Sequence, residues 1–493
     1  MNKKIVIIGG GVAGLAAGIY GQKNGYTTEI IEMHTVPGGQ CTAWERRGYR
    51  FDYCLHWLVG TAQGPFHDIW LETDVITDRV TVVDHEVHTR VIDAEGNDFI
   101  VYTSIDRWER YLVEFAPEDA AAIRKMCAEM RKATLLEPFR EPPELRGLRD
   151  YLRVVVKMLP ALLLLMKYGK KSCRDYFESL HLRNPRLAFF LDNLYGQRDF
   201  SALAFLMMLG WFNQKNAGYL IGGSLPLAGR MAQKYRSLGG TLSLGKRVAK
   251  IAVENDAAVG VILSDGTRIE ADHVISAADG HATIYEMLGG KYLTGRIEEA
   301  YRTWPLFPPL VQVSFGIDRE VPSRFPVQTF LAKGATIGGT ALETGYTVMN
   351  YSFDPTMAPP GKTVVVLRYE TPWEFWHDLA GEAYTEEKKR IERDAVVILE
   401  KHLPEVAGHI EVIDVATPLT DLRYTGVWKG AYEGFMPASR NITQILPLRL
   451  PRLRNFCMCG QWLAPGGGLP PSAQSGKWAI QLMCKEDHKE FIC

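Results

Sequence analysis

Gly9, Gly11 and Gly14 stand at GxGxxG spacing, and a carboxylate, Glu32, follows eighteen residues after the last of them. The first glycine permits a tight turn and the second lets backbone approach a pyrophosphate. The third lets a helix pack closely on a strand, and Ala13 keeps the same surface small. A carboxylate at Glu32 can accept both hydroxyls of an adenosine ribose, and it disfavours a 2′-phosphate. Glycine-rich turns after strands are common, so this spacing carries meaning only if the flanking elements are in register. His56 is a candidate of another kind. Imidazole titrates near neutrality and suits general acid–base work, although a structural histidine bonded to backbone reads equally well. Cys54 could be a redox thiol, but a small buried hydrophobe is the better reading. Tyr424, Lys429 and Tyr432 are weaker polar candidates in what reads as a strand pair. No Ser/His/Asp triad, P-loop or metal-ligand cluster is apparent, so no metal site is expected.

The elements needed around the glycines are present. Ile5–Ile8 is a continuous apolar run, as in a parallel strand covered on both faces. A small-residue helical segment spans Leu15–Asn24, closed by Gly25 as a C′ glycine. A second strand, Thr27–Ile31, ends at Glu32, which completes βαβ syntax. Gly38-Gly39 then suits a backbone passing close to a second phosphate–ribitol segment, with Gln40 beside it. Gly48–Asp52 resumes a strand. Far along the chain, Leu453–Gln461 reads as a buried strand and turn, and a helix runs from the Pro465–Pro471 stretch to about Lys485. Glycines before that helix and prolines in its first turn leave its N-terminus, at Gly468 and Leu469, open to a ligand. Such a dipole end would stabilise an anionic, reduced isoalloxazine.

The chain has 493 residues, 56 Lys+Arg against 57 Asp+Glu, and a net charge of −1. That balance excludes a typical nucleic-acid binder, which carries a basic excess. Hydrophobic residues at 46% and charged residues at 23% describe an ordinary globular chain able to bury a large core. Eight scattered cysteines without a CxxC pair argue against a disulfide framework. No secretory h-region follows the N-terminus, and the apolar run Met158–Met166 is too short to span a bilayer. A cytoplasmic protein is expected.

Gly9–Gly14 with Glu32, Gly38-Gly39, Phe51-Asp52 and Pro465–Pro470 with Ser475-Gly476 resemble the phytoene desaturase/carotenoid isomerase/retinol saturase family. Tyr219–Ser224, Gly239-Gly240, Asp265-Gly266, Ser276–Ala278, Asp354–Leu367 and Thr417–Gly434 are similar to further motifs, so the resemblance spans nearly the whole chain. Tyr53-Cys54 stands where that family usually has a glycine, and Gln40 where a basic residue is common. The resemblance implies non-covalent FAD and an α/β fold of the glutathione reductase/amine oxidase type. A Rossmann-like FAD domain would be assembled from residues 1–75, 215–290 and 445–493, interleaved with an α+β substrate domain of 76–214 and 291–444. It also implies that Val248 contacts the adenine by its backbone, while Gly460 and Gln461 meet the pyrophosphate–ribitol segment. With no second GxGxxG opening a helix, no NAD(P)H domain is expected, and the electron partner is a quinone, another protein, or nothing if the reaction is a net isomerisation.

The activity implied is saturation, desaturation or isomerisation of carbon–carbon double bonds in a long apolar substrate such as an isoprenoid, a retinoid or a fatty acid. Two other readings stand beside it: an amine-oxidase-type flavoenzyme, and a non-catalytic flavin-binding lipid carrier. Residues 145–174 hold eight basic residues against Asp150 alone, flanking an apolar run. That is the composition of an in-plane membrane-surface helix, or of a buried helix with solvated ends. Lipidic substrates favour the membrane surface, on the inner face. Leu203–Phe212 reads as a core or tunnel wall.

Overall fold

The computed structural model describes residues 3–194 and 199–493, and within helix Leu148–Tyr168 the side chains of all but 148–150, 153–157 and 160. The N-terminal apolar run forms strand β1 (Lys4–Ile8), buried beyond its first residue. Helix α1 (Val12–Lys23) and strand β2 (Thr27–Ile31) follow. The helix starts three residues before Leu15, because extended backbone at Gly11 already serves as its N-cap. It stops at Asn24, and Gly25 (φ +74°) turns the chain away. Strands β3 (Thr241–Ser243), β4 (His273–Ser276) and β5 (Phe456–Met458) complete a parallel sheet ordered β3-β2-β1-β4-β5. In that doubly wound order a ligand crevice forms beyond the carboxyl ends of the strands, where the order reverses beside β1.

Helix α2 (Leu469–Glu486) crosses α1 at very short range. A Cβ on Gly476 would lie 2.3 Å from the Ala13 carbonyl oxygen, so only glycine permits the crossing. An antiparallel sheet of Val248–Glu254, Ala257–Leu263 and Arg268–Glu270 packs on β4. The nucleotide-type sheet thus draws its strands from three separated stretches of chain.

A seven-stranded mixed sheet forms the other half of the molecule, with Leu310–Ile317 and Thr363–Glu370 near its centre. Strand parity divides these two between faces. Val311, Val313, Phe315, Val365, Leu367 and Tyr369 pack toward helix Gly381–His402. Val364, Val366, Gln312 and Arg368 point the other way, toward the hairpin Ala43–Arg46/Tyr49–Asp52. A helical bundle spanning residues 105–212 caps one end around its own core. Leu203–Phe212 lies in helix Ala202–Asn213, with Phe205, Leu206 and Leu209 in that bundle core.

Residues 418–430 are not the strand pair expected from sequence. They form helix Pro418–Thr425 and a 3-10 turn, Trp428–Gly430. Thr417 caps the helix through Thr420, Pro418 occupies its first position and Gly426 (φ +68°) ends it. Local start and stop chemistry overrides the alternating pattern there. Among the described residues no helix is long and apolar enough to cross a membrane, and no group of metal-ligating side chains forms.

Candidate active site

A cleft opens beyond the carboxyl ends of β1 and β2 and runs to the amino end of α2. Two glycine loops form its floor. Gly38 N–H donates to the Gly10 carbonyl at 2.9 Å, and Gly11 bridges to Gly38. Gly9 has φ +95°, and a Cβ there would press within 3.1 Å of Ala277 backbone. Backbone therefore faces the cleft where side chains would otherwise fill it. Gly14 does not line the cleft; its Cβ would fall 1.9 Å from the Gly9 carbonyl, so it serves the strand-to-helix turn itself.

Glu32 reaches the same end. Its Oε2 accepts from Gly10 N–H at 2.6 Å and its Oε1 from His34 N–H at 2.8 Å, which leaves the remaining lone pairs for a ligand. Burial pushes its carboxyl upward, and the backbone bonds pull it back. Ala13, Val248, Gly460, Gln461, Gly468 and Leu469 line the cleft together with Gly39. Gln40 lines it as well, and both its amide atoms are buried without a hydrogen-bond partner.

At the far end, Asp52 fixes the loop that carries His56. Its carboxylate accepts from the backbone of Cys54, Leu55 and Ser224 at 3.0, 2.9 and 2.6 Å, and from Ser224 Oγ at 2.7 Å. His56 faces the cleft, and Arg368 Nη1 donates to its Nδ1 at 3.3 Å. Burial, and then the Arg368 charge, push its pKa down to about 3. The imidazole is therefore neutral at physiological pH and a weak base, which removes the titration that made it a candidate acid. Arg368 Nε donates to Gln312 Oε1 at 2.7 Å, and its Nη2 donates to the Tyr53 carbonyl. Tyr53 in turn donates to Asp421, whose carboxyl burial pushes up to about 7. Tyr432 and Glu433 complete this end, whereas Tyr424 lies on the surface.

Arg368 and Asp421 escaped the sequence reading because their partners lie hundreds of positions away. A signal existed for Arg368: an arginine following the apolar run VVVL inside TVVVLRYE, a strand buried except at its last residue.

The model of the family described as flavin containing amine oxidoreductase matches residues 12–483. The chain belongs to that family. A phytoene desaturase (lycopene-forming) of Paracoccus sp. is 24% identical over 98% of this chain and 98% of its own length. Prolycopene isomerase 2 of an Oncidium hybrid cultivar is 23% identical over 96% of this chain and 82% of its own. Cyclohexylamine oxidase from Brevibacterium oxydans superposes with a TM-score of 0.60 at 13% identity, over 99% and 100% of the two chains, and shows a shared fold.

The protein is an FAD-dependent oxidoreductase, and its cleft fits that cofactor. Gln40 is a buried amide with nothing to bond, the Gly9–Gly11 and Gly38-Gly39 backbones leave a cradle that Cβ atoms would fill, and Glu32 is placed for a ribose. These residues would hold the dinucleotide, and Gly468 and Leu469 would present the amino end of α2 to its flavin end. FAD supplies two-electron hydride chemistry.

Proposed function

We propose that this chain saturates, desaturates or isomerises carbon–carbon double bonds of a long isoprenoid, and exchanges electrons with a quinone or a protein where the reaction is a net redox one. The observation that carries this reading is Arg368. It places a permanent cation in the catalytic end of the cleft, and among the described residues it forms no ion pair; it is held instead by Gln312 and the Tyr53 carbonyl. An ammonium substrate would meet that fixed positive charge there. The Asp52 carboxylate near Arg368 is already taken up by backbone and Ser224 donors, and Asp421 and Glu433, pushed up to about 7 by burial, are protonated in part at neutral pH, so none of the three offers an ammonium a full, free countercharge. An uncharged hydrocarbon carries no such penalty. Names of relatives that match nearly the whole of this chain, a phytoene desaturase and a prolycopene isomerase, support the isoprenoid class.

The chain's own residues have separable roles in this reading. Asp52 and Ser224 hold the 53–56 loop rigid, Arg368 fixes its carbonyls from behind, and neutral His56 offers a polar edge without charge. Buried walls around the cleft exclude water from a reduced cofactor.

Substrates of this class partition into bilayers, and helix Leu148–Tyr168 suits a docking role at an anionic inner-leaflet surface. Leu152, Leu159, Leu163 and Met166 recur at helical spacing and are exposed, Met166 by 83%. Lys167 and Lys170 stand exposed at the helix end. The inner face is tied down where Tyr168 donates to Glu129 at 2.6 Å. Three residues of the basic flank, Arg149, Arg153 and Lys157, fall outside the described side chains.

The test compares substrates on the flavin-loaded protein. Phytoene and prolycopene in mixed micelles should be converted, while cyclohexylamine and putrescine should yield no peroxide in air. Peroxide release with an amine and inertness toward both polyenes would overturn the reading.

A further inference from the structure

Glu433 has no role in the site as described so far, and its surroundings are costly for a carboxyl. It faces the cleft between Tyr432 and Gly434, and a Cβ on Gly468 at the amino end of α2 would lie 3.6 Å from its Oε1. Among the described residues it forms no hydrogen bond or ion pair, and burial alone pushes it up to about 7. Glu433 is half-buried, and a carboxyl desolvated in this way without partners carries a cost that a ligand or a reaction in the cleft would offset.

The loop that carries it is rigid. Phe307 N–H donates to the Gly434 carbonyl at 3.0 Å, Gly434 N–H to Ala431 at 3.1 Å, and Gly466 N–H to Phe435 at 2.8 Å. Ala431 and Phe435 on either side are fully buried. The backbone on both sides of Glu433 is thus held, and its carboxyl lines the cleft beside the helix end that would meet the flavin.

We propose that Glu433 is the proton donor and acceptor of the carbon–carbon chemistry, exchanging a proton between its carboxyl and a substrate carbon next to the one that gains or loses hydride. In the reducing direction the O–H bond of Glu433 breaks and its proton bonds to one alkene carbon. The other carbon takes the hydride supplied by reduced flavin, which is oxidised by two electrons, and the carboxylate regains a proton from water. Desaturation runs the same steps backwards, and isomerisation returns the proton to the carboxylate with no net redox change. A carboxyl poised near neutrality can serve both directions. His56, Arg368, Tyr53 and Cys54 line the same end of the cleft. His56 is neutral, Arg368 is a fixed cation, and burial drives the Tyr53 phenol well up; Asp279, which also lines the cleft and is pushed up to about 6 by burial, has its oxygens taken by the Ala282 and Trp428 N–H groups, whereas the Glu433 oxygens are free among the described residues. Tyr432, beside Glu433, is also pushed well up, first by burial and then by the charges of Glu433 and Glu370.

This proposal rests on the carbon–carbon reading, and its test separates the two. Flavin-loaded wild type, E433Q and E433D are compared in two ways. The flavin midpoint potential against pH should break near pH 7 in the wild type, lose that break in E433Q and keep a displaced break in E433D. Infrared difference spectra of the holoenzyme should show carboxylic C=O intensity titrating near pH 7 from Asp421 and Glu433 together, and E433Q should lose the Glu433 share of it while the Asp421 share remains. With phytoene and prolycopene in D2O, E433Q should slow deuterium transfer to carbon on the order of 100- to 10,000-fold. An unaltered break and unaltered deuterium incorporation in E433Q would overturn the proposal while leaving the carbon–carbon reading intact. Wild type inert to both polyenes would overturn that reading and this one with it. Should E433Q lose its flavin, wild type and E433D decide: C=O intensity near pH 7 that is displaced in E433D supports the proposal, and identical titrating spectra overturn it.

Discussion

Replacing Glu32 by glutamine leaves the shape of the cleft unchanged and removes one charge. In the wild type each carboxylate oxygen accepts one backbone N–H, from Gly10 at 2.6 Å and from His34 at 2.8 Å. Glutamine can satisfy one of these donors and must turn its NH2 toward the other. An unsatisfied buried donor costs about 1–3 kcal/mol, and because empty and loaded protein share that cost, it lowers stability. The ribose hydrogen bond behaves differently. A bond to a charged acceptor contributes about 1.5–3 kcal/mol, and its loss falls on the loaded state alone. At about 1.4 kcal/mol per decade that weakens FAD binding roughly 10- to 140-fold. Flavin fluorescence titration of apoprotein measures the change, with FMN as the control, because FMN lacks the adenosine. The expected result is weaker FAD binding for E32Q and an unchanged FMN affinity. Equal losses for FAD and FMN, or no loss for either, would refute the placement of the adenosine ribose on Glu32.

Other perturbations follow from the same geometry. Gly14→Val places a branched side chain where even a Cβ falls 1.9 Å from the Gly9 carbonyl, so it should cost about 3 kcal/mol or more in chemical denaturation and yield flavin-free protein. Asp421 and Glu433 hold protons in the folded state up to about pH 7. Their stabilisation is full below the ordinary carboxylate range and is lost as pH rises through 7, so the thermal midpoint of apoprotein should fall from pH 5 to pH 8.5 and fall less in E433Q. His56 acts in the opposite sense, since its folded pKa of about 3 lies below its unfolded value. Stability should drop as pH falls from 6.5, H56N should flatten that acid limb, and the pH–rate profile between pH 6 and 8 should keep its shape in H56N. A triple change of Leu159, Leu163 and Met166 to serine should leave the fold intact, because all three are exposed. It should cut binding to anionic vesicles more than 100-fold in a pelleting assay, at about 1.5 kcal/mol or more for each apolar side chain removed from the bilayer.

How much of this could be read from the residue string depends on how local each cause is. The glycines at 9, 11 and 14, with Glu32 after β2, announce themselves because backbone sterics and dipoles dictate those residues within a single βαβ unit. The open end of α2 was legible for the same reason, from Gly468 and the prolines that follow it. The catalytic end was not. Arg368 reaches Tyr53 across 315 positions and Tyr53 reaches Asp421 across 368, and no periodicity encodes such pairings. Glu433 looked unremarkable within GAYEGF, since its isolation appears only when Gly468 and the buried loop close around it. His56 shows the converse: its residue type suggested acid–base work, and its burial, with the charge of Arg368 beside it, both invisible in sequence, cancels that role.

The central claim is that this flavoprotein works on carbon–carbon bonds, and one anaerobic experiment addresses it most directly. Photoreduced and oxidised holoenzyme are each mixed with phytoene or prolycopene, the flavin absorbance is followed and the extracted polyene is analysed by mass and by isomer composition. The account predicts one of three coupled outcomes: reduced flavin reoxidised with a product gaining a hydrogen pair, oxidised flavin bleached with a product losing one, or an isomer formed with mass and flavin state unchanged. Flavin and polyene both unaltered, while the same reduced enzyme is formed by an amine, would contradict it.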